Sequence, residues 1–162
     1  MTLSKPLAGG LPLPATLTPA KINDLLHVGE HGTTFGGGPV TAAVGSRVFD
    51  TIAHPEFLRS VEEKGKLLTE KLQNLQKSLP DRVKEIRGMG LLKGIVVASA
   101  TSSDKQSGEL IPEIMKRCRE KGLLILRSGT NVIRIAPPLI ISKEEIEAGT
   151  AILQSVLEES AQ

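Results

Sequence analysis

Aromatic residues and cysteine are nearly absent from this sequence. Its 162 residues include three Phe, one Cys and no Trp or Tyr. The core must therefore be aliphatic, and the aromatic rings on which single-stranded nucleic acids stack are nearly missing. The single thiol, Cys118, excludes an intrachain disulfide framework and any multi-cysteine zinc site. Because Cys118 lies on the apolar stripe of a predicted helix, we expect a buried small hydrophobe rather than a reactive nucleophile.

Neither a large net charge nor a long apolar run is present. Lys and Arg number 20 against 18 Asp and Glu, so the net charge of +2 gives no reason to expect a polyanionic partner. No apolar run approaches the roughly 20 residues that a membrane helix needs, and the first residues are not an Arg-rich presequence. We therefore expect no nucleic-acid partner, no membrane partner and no targeting signal in this sequence.

What the sequence does contain is hydrophobic periodicity from residue 39 onward. Apolar residues that recur every three or four positions predict helices, and short apolar runs between turn residues predict strands. Ser142, followed by Glu145 three residues later, is a capping box that begins the last helix. The predicted helices are residues 19–26, 39–54, 57–79, 110–122 and one from Ser142 onward. The predicted strands are residues 15–17, 83–87, 91–98, 123–126 and 132–135, with a polar surface loop at residues 99–108.

Glycine and proline punctuate the first fifty residues, unlike the rest of the chain. Such residues mark turns and close backbone approaches. We expect residues 1–54 to be the end of a larger domain whose packing partner is absent, and residues 55–80 to be a long connecting helix. Residues 81–162 are expected to form a small α+β domain with one sheet face under its helices. The predicted fold class is α/β with an α+β C-terminal domain.

Lys5 is the first candidate for chemistry, because it lies between Leu3 and Leu7 in an apolar run that ends in paired glycines. Burial lowers the pKa of an ammonium group, and an amine that is neutral part of the time can attack a carbonyl. The alternative is a snorkelling lysine at the end of a strand. The sequence leaves both open.

Two further clusters suit anions. Residues 29–38 combine Thr hydroxyls with glycines ahead of a helix, an arrangement suited to a phosphate, although a tight structural turn explains it equally well. Arg134 is flanked by strand-forming apolar residues and offers a bidentate fork for a carboxylate, unless it is an edge-strand or salt-bridged arginine. The three His share no metal-ligand spacing with one another or with Cys118, so we expect no metal site.

Four segments taken together resemble the class III, pyridoxal-phosphate-dependent aminotransferases, and most of all those that act on acetylornithine. In chain order they are TLSKPLAGGLP (residues 2–12), HGTTFGGGP (residues 31–39), IRGMGLL (residues 86–92) and IRIAPPLII (residues 133–141). The likeness runs from Met1 to about Leu157. Ornithine and 4-aminobutyrate aminotransferases look similar in the same places.

The resemblance implies a partial fold type I transferase, with residues 1–54 as the end of the large domain that binds pyridoxal 5'-phosphate. Lys5 matches the lysine that holds this cofactor covalently. Thr34 matches the threonine that reaches the cofactor phosphate of the neighbouring subunit in a homodimer. Arg134 matches the arginine that binds the substrate α-carboxylate.

The resemblance also implies a reaction with amino-acid and 2-oxo-acid substrates. N-acetylornithine and 2-oxoglutarate would give N-acetylglutamate 5-semialdehyde and glutamate in arginine biosynthesis. We expect a mitochondrial or plastid location in a eukaryote and a cytoplasmic one in a bacterium. Because the family's residues N-terminal to the lysine are absent, we expect a C-terminal portion that is not active alone. The alternatives are an ornithine or other omega-amino-acid aminotransferase, or a noncatalytic remnant that docks onto an intact aminotransferase.

Overall fold

The computed structural model of the chain describes residues 1–98 and 104–160. The chain divides into two compact units, Met1–Leu58 and Arg59–Gln162. None of the helices in the described ranges has both the length and the apolar character that a membrane crossing requires.

The first unit is built around a short strand pair and one long helix. Strand β1 (Thr2–Leu3) pairs antiparallel with β2 (Ala15–Thr16), and a 3-10 helix, Lys5–Ala8, lies between them in the chain. Helix α1 (Ala20–Asn23) follows, and then α2 (Pro39–Ile52).

Helix α2 packs directly on the segment that follows Lys5. Its Gly45 is buried, and a Cβ there would lie 2.5 Å from Cδ2 of Leu13 and 3.6 Å from the carbonyl oxygen of Leu7. A larger residue would fit only if these neighbouring atoms moved, because they already lie against the backbone of the helix. The close approach therefore anchors the start of the chain against α2.

The second unit is a four-stranded antiparallel sheet with three helices. The strands are β3 (Val83–Met89), β4 (Leu92–Val97), β5 (Leu126–Ser128) and β6 (Val132–Ile135), in the spatial order β3-β4-β6-β5. The helices are α3 (Pro55–Ser78), α4 (Asp104–Glu120) and α5 (Lys143–Glu159). Helix α3 begins just before the boundary between the two units and lies almost wholly in the second.

One face of the sheet forms an aliphatic core with the three helices. Leu72 of α3, Ile114 of α4 and Leu153 of α5 are completely buried, and so are the paired strand residues Ile95 and Ile133. The core contains no aromatic side chain among the described residues, as the composition requires. Among the described residues, the one buried charged side chain is Lys93, whose Nζ donates to the carbonyl of Gly88 at 3.2 Å.

The structure confirms most of the predicted elements. Helix α2 has Pro39 in its first turn, and the predicted helix of residues 57–79 is α3. The capping box of α5 is present: the backbone N–H of Glu145 donates to Oγ of Ser142 at 3.1 Å, and the N–H of Ser142 donates to Oε2 of Glu145 at 2.8 Å.

The largest differences from the predicted boundaries concern α4, β5 and α1. Helix α4 begins at Asp104, so residues 104–108 of the predicted loop are helical; these polar residues carry no apolar stripe from which a helix could be predicted. Residues 99–103 of that loop lie outside the described residues. Strand β5 starts at Leu126 instead of residue 123, because only Leu126–Ser128 reaches a partner in β6. Helix α1 is four residues long, shorter than predicted.

Two glycines inside helices give a matched test of packing. A Cβ at Gly65 in α3 would lie 2.9 Å from the backbone Cα of Gly90, whereas one at Gly149 in α5 would lie 3.4 Å from the flexible tip of Leu123. We expect Gly65→Ala to lower the free energy of unfolding by about 1–3 kcal/mol, because the backbone of Gly90 cannot move away from the added methyl group as a flexible side chain can. Gly149→Ala should leave it unchanged or raise it by up to about 1 kcal/mol through helix propensity. Urea denaturation followed by circular dichroism measures both, and equal losses in the two variants would contradict this packing.

Candidate active site

Lys5 has a strained backbone. It is the first residue of the 3-10 helix, directly after the extended Ser4, and its φ of 53° is the only positive value among the described residues other than glycine. A residue with a Cβ in this region is disfavoured and persists only where its surroundings hold it. Here Pro6 fixes the next turn, and the β1–β2 pairing holds the preceding strand. Strain of this kind is concentrated at functional sites.

The side chain of Lys5 is exposed, and it makes no hydrogen bond or ion pair with any residue in the described ranges. The burial suggested by the apolar run is therefore wrong for this chain, because the flanking Leu3 and Leu7 are only partly buried and leave the amine in solvent. A snorkelling lysine explains the exposure but not the left-handed backbone. The amine is therefore accessible to solvent, and the backbone that carries it is held in the left-handed conformation.

Thr34 lies in the open segment between α1 and α2. The backbone N–H groups of residues 31–37 donate to no acceptor in the described part of the chain, and the hydroxyl of Thr34 has no partner there. Helix α2 begins after Gly38, which carries no side-chain cap. Free N–H groups and a hydroxyl ahead of a helix are donors for an anion. A Cβ at Gly36 would lie 2.0 Å from Cγ2 of Thr33, so the segment also contains the tight turn of the alternative interpretation.

Arg134 projects from the sheet face opposite the helices. It lies in β6, an interior strand, between the buried Ile133 and the partly buried Ile135. Its side chain is exposed, and neither an ion pair nor a side-chain hydrogen bond joins it to a described residue. Arg134 is therefore neither on an edge strand nor salt-bridged within the described chain, which were the two alternatives to a carboxylate-binding role.

A groove of about 410 Å³ lies beside Arg134, within the second unit. Its walls are almost entirely apolar and include Leu126, Pro137 and Ile141. The other charged lining residue, Glu145, is engaged in the cap of α5. The groove is also lined by Leu68 of α3 and by Ile146 and Gly149 of α5, so it lies on the helix side of the sheet, away from the face from which Arg134 projects.

Cys118, the one thiol in the sequence, is not an available nucleophile. Cys118 is completely buried, and burial raises the pKa of its thiol to about 11. Within the described residues, no group of three or more potential metal ligands occurs. The chemistry available on these residues is therefore an accessible amine and hydrogen-bond donors in the first unit, and a carboxylate fork in the second.

Comparison with known proteins identifies the family. The model of the family Aminotransferase class-III matches residues 1–157. The chain belongs to the class III aminotransferases. These enzymes depend on pyridoxal phosphate, and the described residues have part of their fold.

Relatives of this class III aminotransferase chain carry similar names. The probable mitochondrial acetylornithine aminotransferase of Dictyostelium discoideum is 41% identical over 97% of the chain and 33% of its own length. The acetylornithine aminotransferase of Lactococcus lactis is 40% identical over 96% of the chain and 39% of its own length. The chain therefore spans between a third and two fifths of these relatives.

Solved structures of class III aminotransferases resemble the chain as a whole. The acetylornithine aminotransferase of Elizabethkingia anophelis has a TM-score of 0.81 and 29% identity, over 98% of this chain and 40% of that one. The ornithine aminotransferase of Toxoplasma gondii has a TM-score of 0.83 and 28% identity, over 99% of this chain and 38% of that one.

Arg87, in the IRGMGLL segment, has no role that the sequence predicts. In the structure, Arg87 is exposed on the same sheet face as Arg134. Strict alternation along strand β3 would place Arg87 on the same face as the buried Val83, and the register shift between Val83 and Glu85 reverses this.

The raised pKa of Cys118 gives a direct prediction. At pH 8 a thiol with a pKa of about 11 is ionised to roughly one part in a thousand, and only the thiolate is alkylated. We expect iodoacetamide at pH 8 to leave Cys118 unmodified in the folded chain and to modify it fully in urea, as measured by mass spectrometry. Rapid alkylation of the folded chain would contradict the burial of this thiol.

Proposed function

We propose that this chain carries the lysine, threonine and arginine of an aminotransferase that acts on N-acetylornithine and 2-oxoglutarate. The observation that carries the proposal is Lys5: an unpaired, accessible amine on a strained backbone, in a chain that matches the class III family over residues 1–157. The products are N-acetylglutamate 5-semialdehyde and glutamate, and the reaction belongs to arginine biosynthesis.

The amine, the hydroxyl and the backbone N–H groups described above are the kinds of group that bind pyridoxal phosphate. When bound, this cofactor supplies an aldehyde that condenses with an amine and a ring that accepts electrons. Nζ of Lys5 is the amine that holds it. The hydroxyl of Thr34 and the free N–H groups of residues 31–37 are donors for its phosphate, reached across the interface of a homodimer.

Each of the three residues then has a separate task. Arg134 would bind the substrate α-carboxylate through its bidentate fork. Nζ of Lys5 would accept the proton from the substrate carbon that bears the amino group, and in the second half of the reaction it would donate a proton to the carbon that receives the amino group. Thr34 would orient the cofactor through its phosphate and would make no bond to the substrate.

The substrate assignment draws on the names of the relatives. Acetylornithine aminotransferases from a slime mould and a bacterium match nearly the whole chain at about 40% identity. Ornithine aminotransferase is the second candidate, because the Toxoplasma gondii enzyme has an equally similar fold at a TM-score of 0.83. The proposed compartment is the mitochondrion or plastid in a eukaryote and the cytoplasm in a bacterium.

The chain is proposed to act as part of a larger catalyst. It spans 33% of the Dictyostelium discoideum relative, so the rest of such a protein would supply the other cofactor contacts. In this proposal residues 1–54 end the cofactor-binding domain, residues 55–80 connect the domains, and residues 81–162 form the small domain. A noncatalytic docking partner of an intact aminotransferase is the alternative, and labelling distinguishes the two.

Labelling of Lys5 tests the proposal. The purified chain, alone and co-expressed with an intact class III aminotransferase, is treated with pyridoxal phosphate and then borohydride, and the pyridoxyl label is located by peptide mapping. We expect the label on Lys5 and its loss in Lys5→Ala. The exposed Lys21 of the same unit provides the matched control, and Lys21→Ala should leave labelling unchanged. Label spread over other lysines would refute the assignment, and co-purification without Lys5 label would favour the docking alternative.

A further inference from the structure

A second groove, of about 430 Å³, lies between helix α4 and strand β5 in the second unit. Lys116 and Arg119 of α4 and Arg127 of β5 line it, and no acidic residue does. We call it the basic groove. Its volume is in the range of pockets that hold small molecules.

Helix α4 presents one stripe of side chains to the basic groove. Pro112, Met115, Lys116 and Arg119 stand at positions i, i+3, i+4 and i+7, which lie on one side of a helix. Residues three positions apart on a helix have their Cβ atoms about 5–6 Å from each other. Lys116 and Arg119 are therefore neighbours that can contact one ligand.

Neither of these two cations is neutralised within the described chain. Lys116 and Arg119 are exposed, and no ion pair or side-chain hydrogen bond joins either of them to a described residue. Glu113 of the same helix accepts a hydrogen bond at 2.9 Å from Nε of Arg117 instead. Neighbouring like charges repel each other, so an anion placed between them is attracted by both.

The segment that leads into β5 supplies apolar surface and free donors to the basic groove. Leu124 and Ile125 line the groove, and Leu124 is 82% exposed. Their backbone N–H groups donate to no acceptor in the described part of the chain, because the pairing of β5 with β6 starts at Leu126. Nε of Arg127 donates to the carbonyl of Gly129 at 2.5 Å, which holds this guanidinium at the edge of the sheet.

Two general roles of surface cations account for part of this arrangement. Arg119 lies in the last turn of α4, where a positive charge interacts favourably with the helix dipole. Arg127 lies on an edge strand, where a charge discourages pairing with another chain. Neither role requires that the cations line one groove together with an exposed leucine and two free N–H groups.

We propose that the basic groove binds a small phosphate monoester that carries an apolar group. Such an ester has a charge of about −1.5 to −2 at pH 7 and three acceptor oxygens, so it matches several cations and N–H donors better than a carboxylate does. The cations of the groove hold the phosphate, and Leu124 packs against the apolar group. The groove includes neither Lys5, Thr34 nor Arg134, so the inference goes beyond the proposed function and does not rest on it.

Titration of the isotopically labelled whole chain with benzyl phosphate, followed by NMR, tests the proposal. We expect saturable shifts of the amide signals of Leu124 and Ile125, and none with benzyl alcohol, which lacks the phosphate. Arg119→Gln should weaken benzyl phosphate and inorganic phosphate alike, by roughly fivefold, because it removes one exposed charge partner. Leu124→Ala should weaken benzyl phosphate roughly threefold and leave inorganic phosphate unchanged, because it removes only apolar contact.

Lys77→Gln is the matched control. Lys77 is an exposed cation in the last turn of α3 and does not line the basic groove. Its substitution should leave the binding of both phosphates unchanged. Retained dispersion of the amide spectrum shows that each variant is folded.

Several outcomes would overturn this inference. They are the absence of saturable shifts at Leu124 and Ile125, equal effects of Arg119→Gln and Lys77→Gln, and equal binding of benzyl alcohol and benzyl phosphate. Saturable shifts confined to residues 31–37 would also overturn it, while supporting an anion site in the first unit. The proposed function is judged by the pyridoxyl label on Lys5, so each of the two can fail without the other.

Discussion

Burial of one face of the four-stranded sheet is the constraint on which the second unit depends. Ile95 and Ile133 are paired across β4 and β6 and are completely buried among the leucines and isoleucines of three helices. A slip of one residue would carry these side chains to the solvent face and bring Arg134 into the core. The cost of burying an unpaired guanidinium excludes that arrangement. The aliphatic core therefore fixes the outward direction of Arg134 as firmly as any contact of its own would.

The candidate groups of each unit are accessible and unpaired within the described residues. In the first unit Lys5 has a backbone conformation that its neighbours must hold, and Thr34 lies among free N–H groups. In the second unit Arg134 projects from the sheet face that the helices leave uncovered. The backbone of Lys5 is left-handed, and strand β3 has a register shift before Arg87. Irregularities of both kinds are common at functional sites.

The sequence predicted the regular elements well, because their physical causes are local. The stripe of leucines in α3, the proline that opens α2 and the capping box of Ser142 and Glu145 act within one or two turns. What it could not predict depends on partners far along the chain. The buried Lys93 contradicts its own polarity, the bulge at β3 reverses the face of Arg87, and the exposure of Lys5 depends on what surrounds it. Alternation and composition do not determine such features, since each is set by strand pairing or tertiary contact.

The register of strand β4 against its two neighbours is the most direct measurement of the central claim. Backbone nuclear Overhauser effects in the labelled chain identify which residues lie opposite Gly94. The account predicts contacts from Gly94 to Arg87 on one side and to Arg134 on the other. Direct pairing of Gly94 with Ile133 or Ile135 in place of Arg134 would turn Arg134 toward the helices and contradict the account.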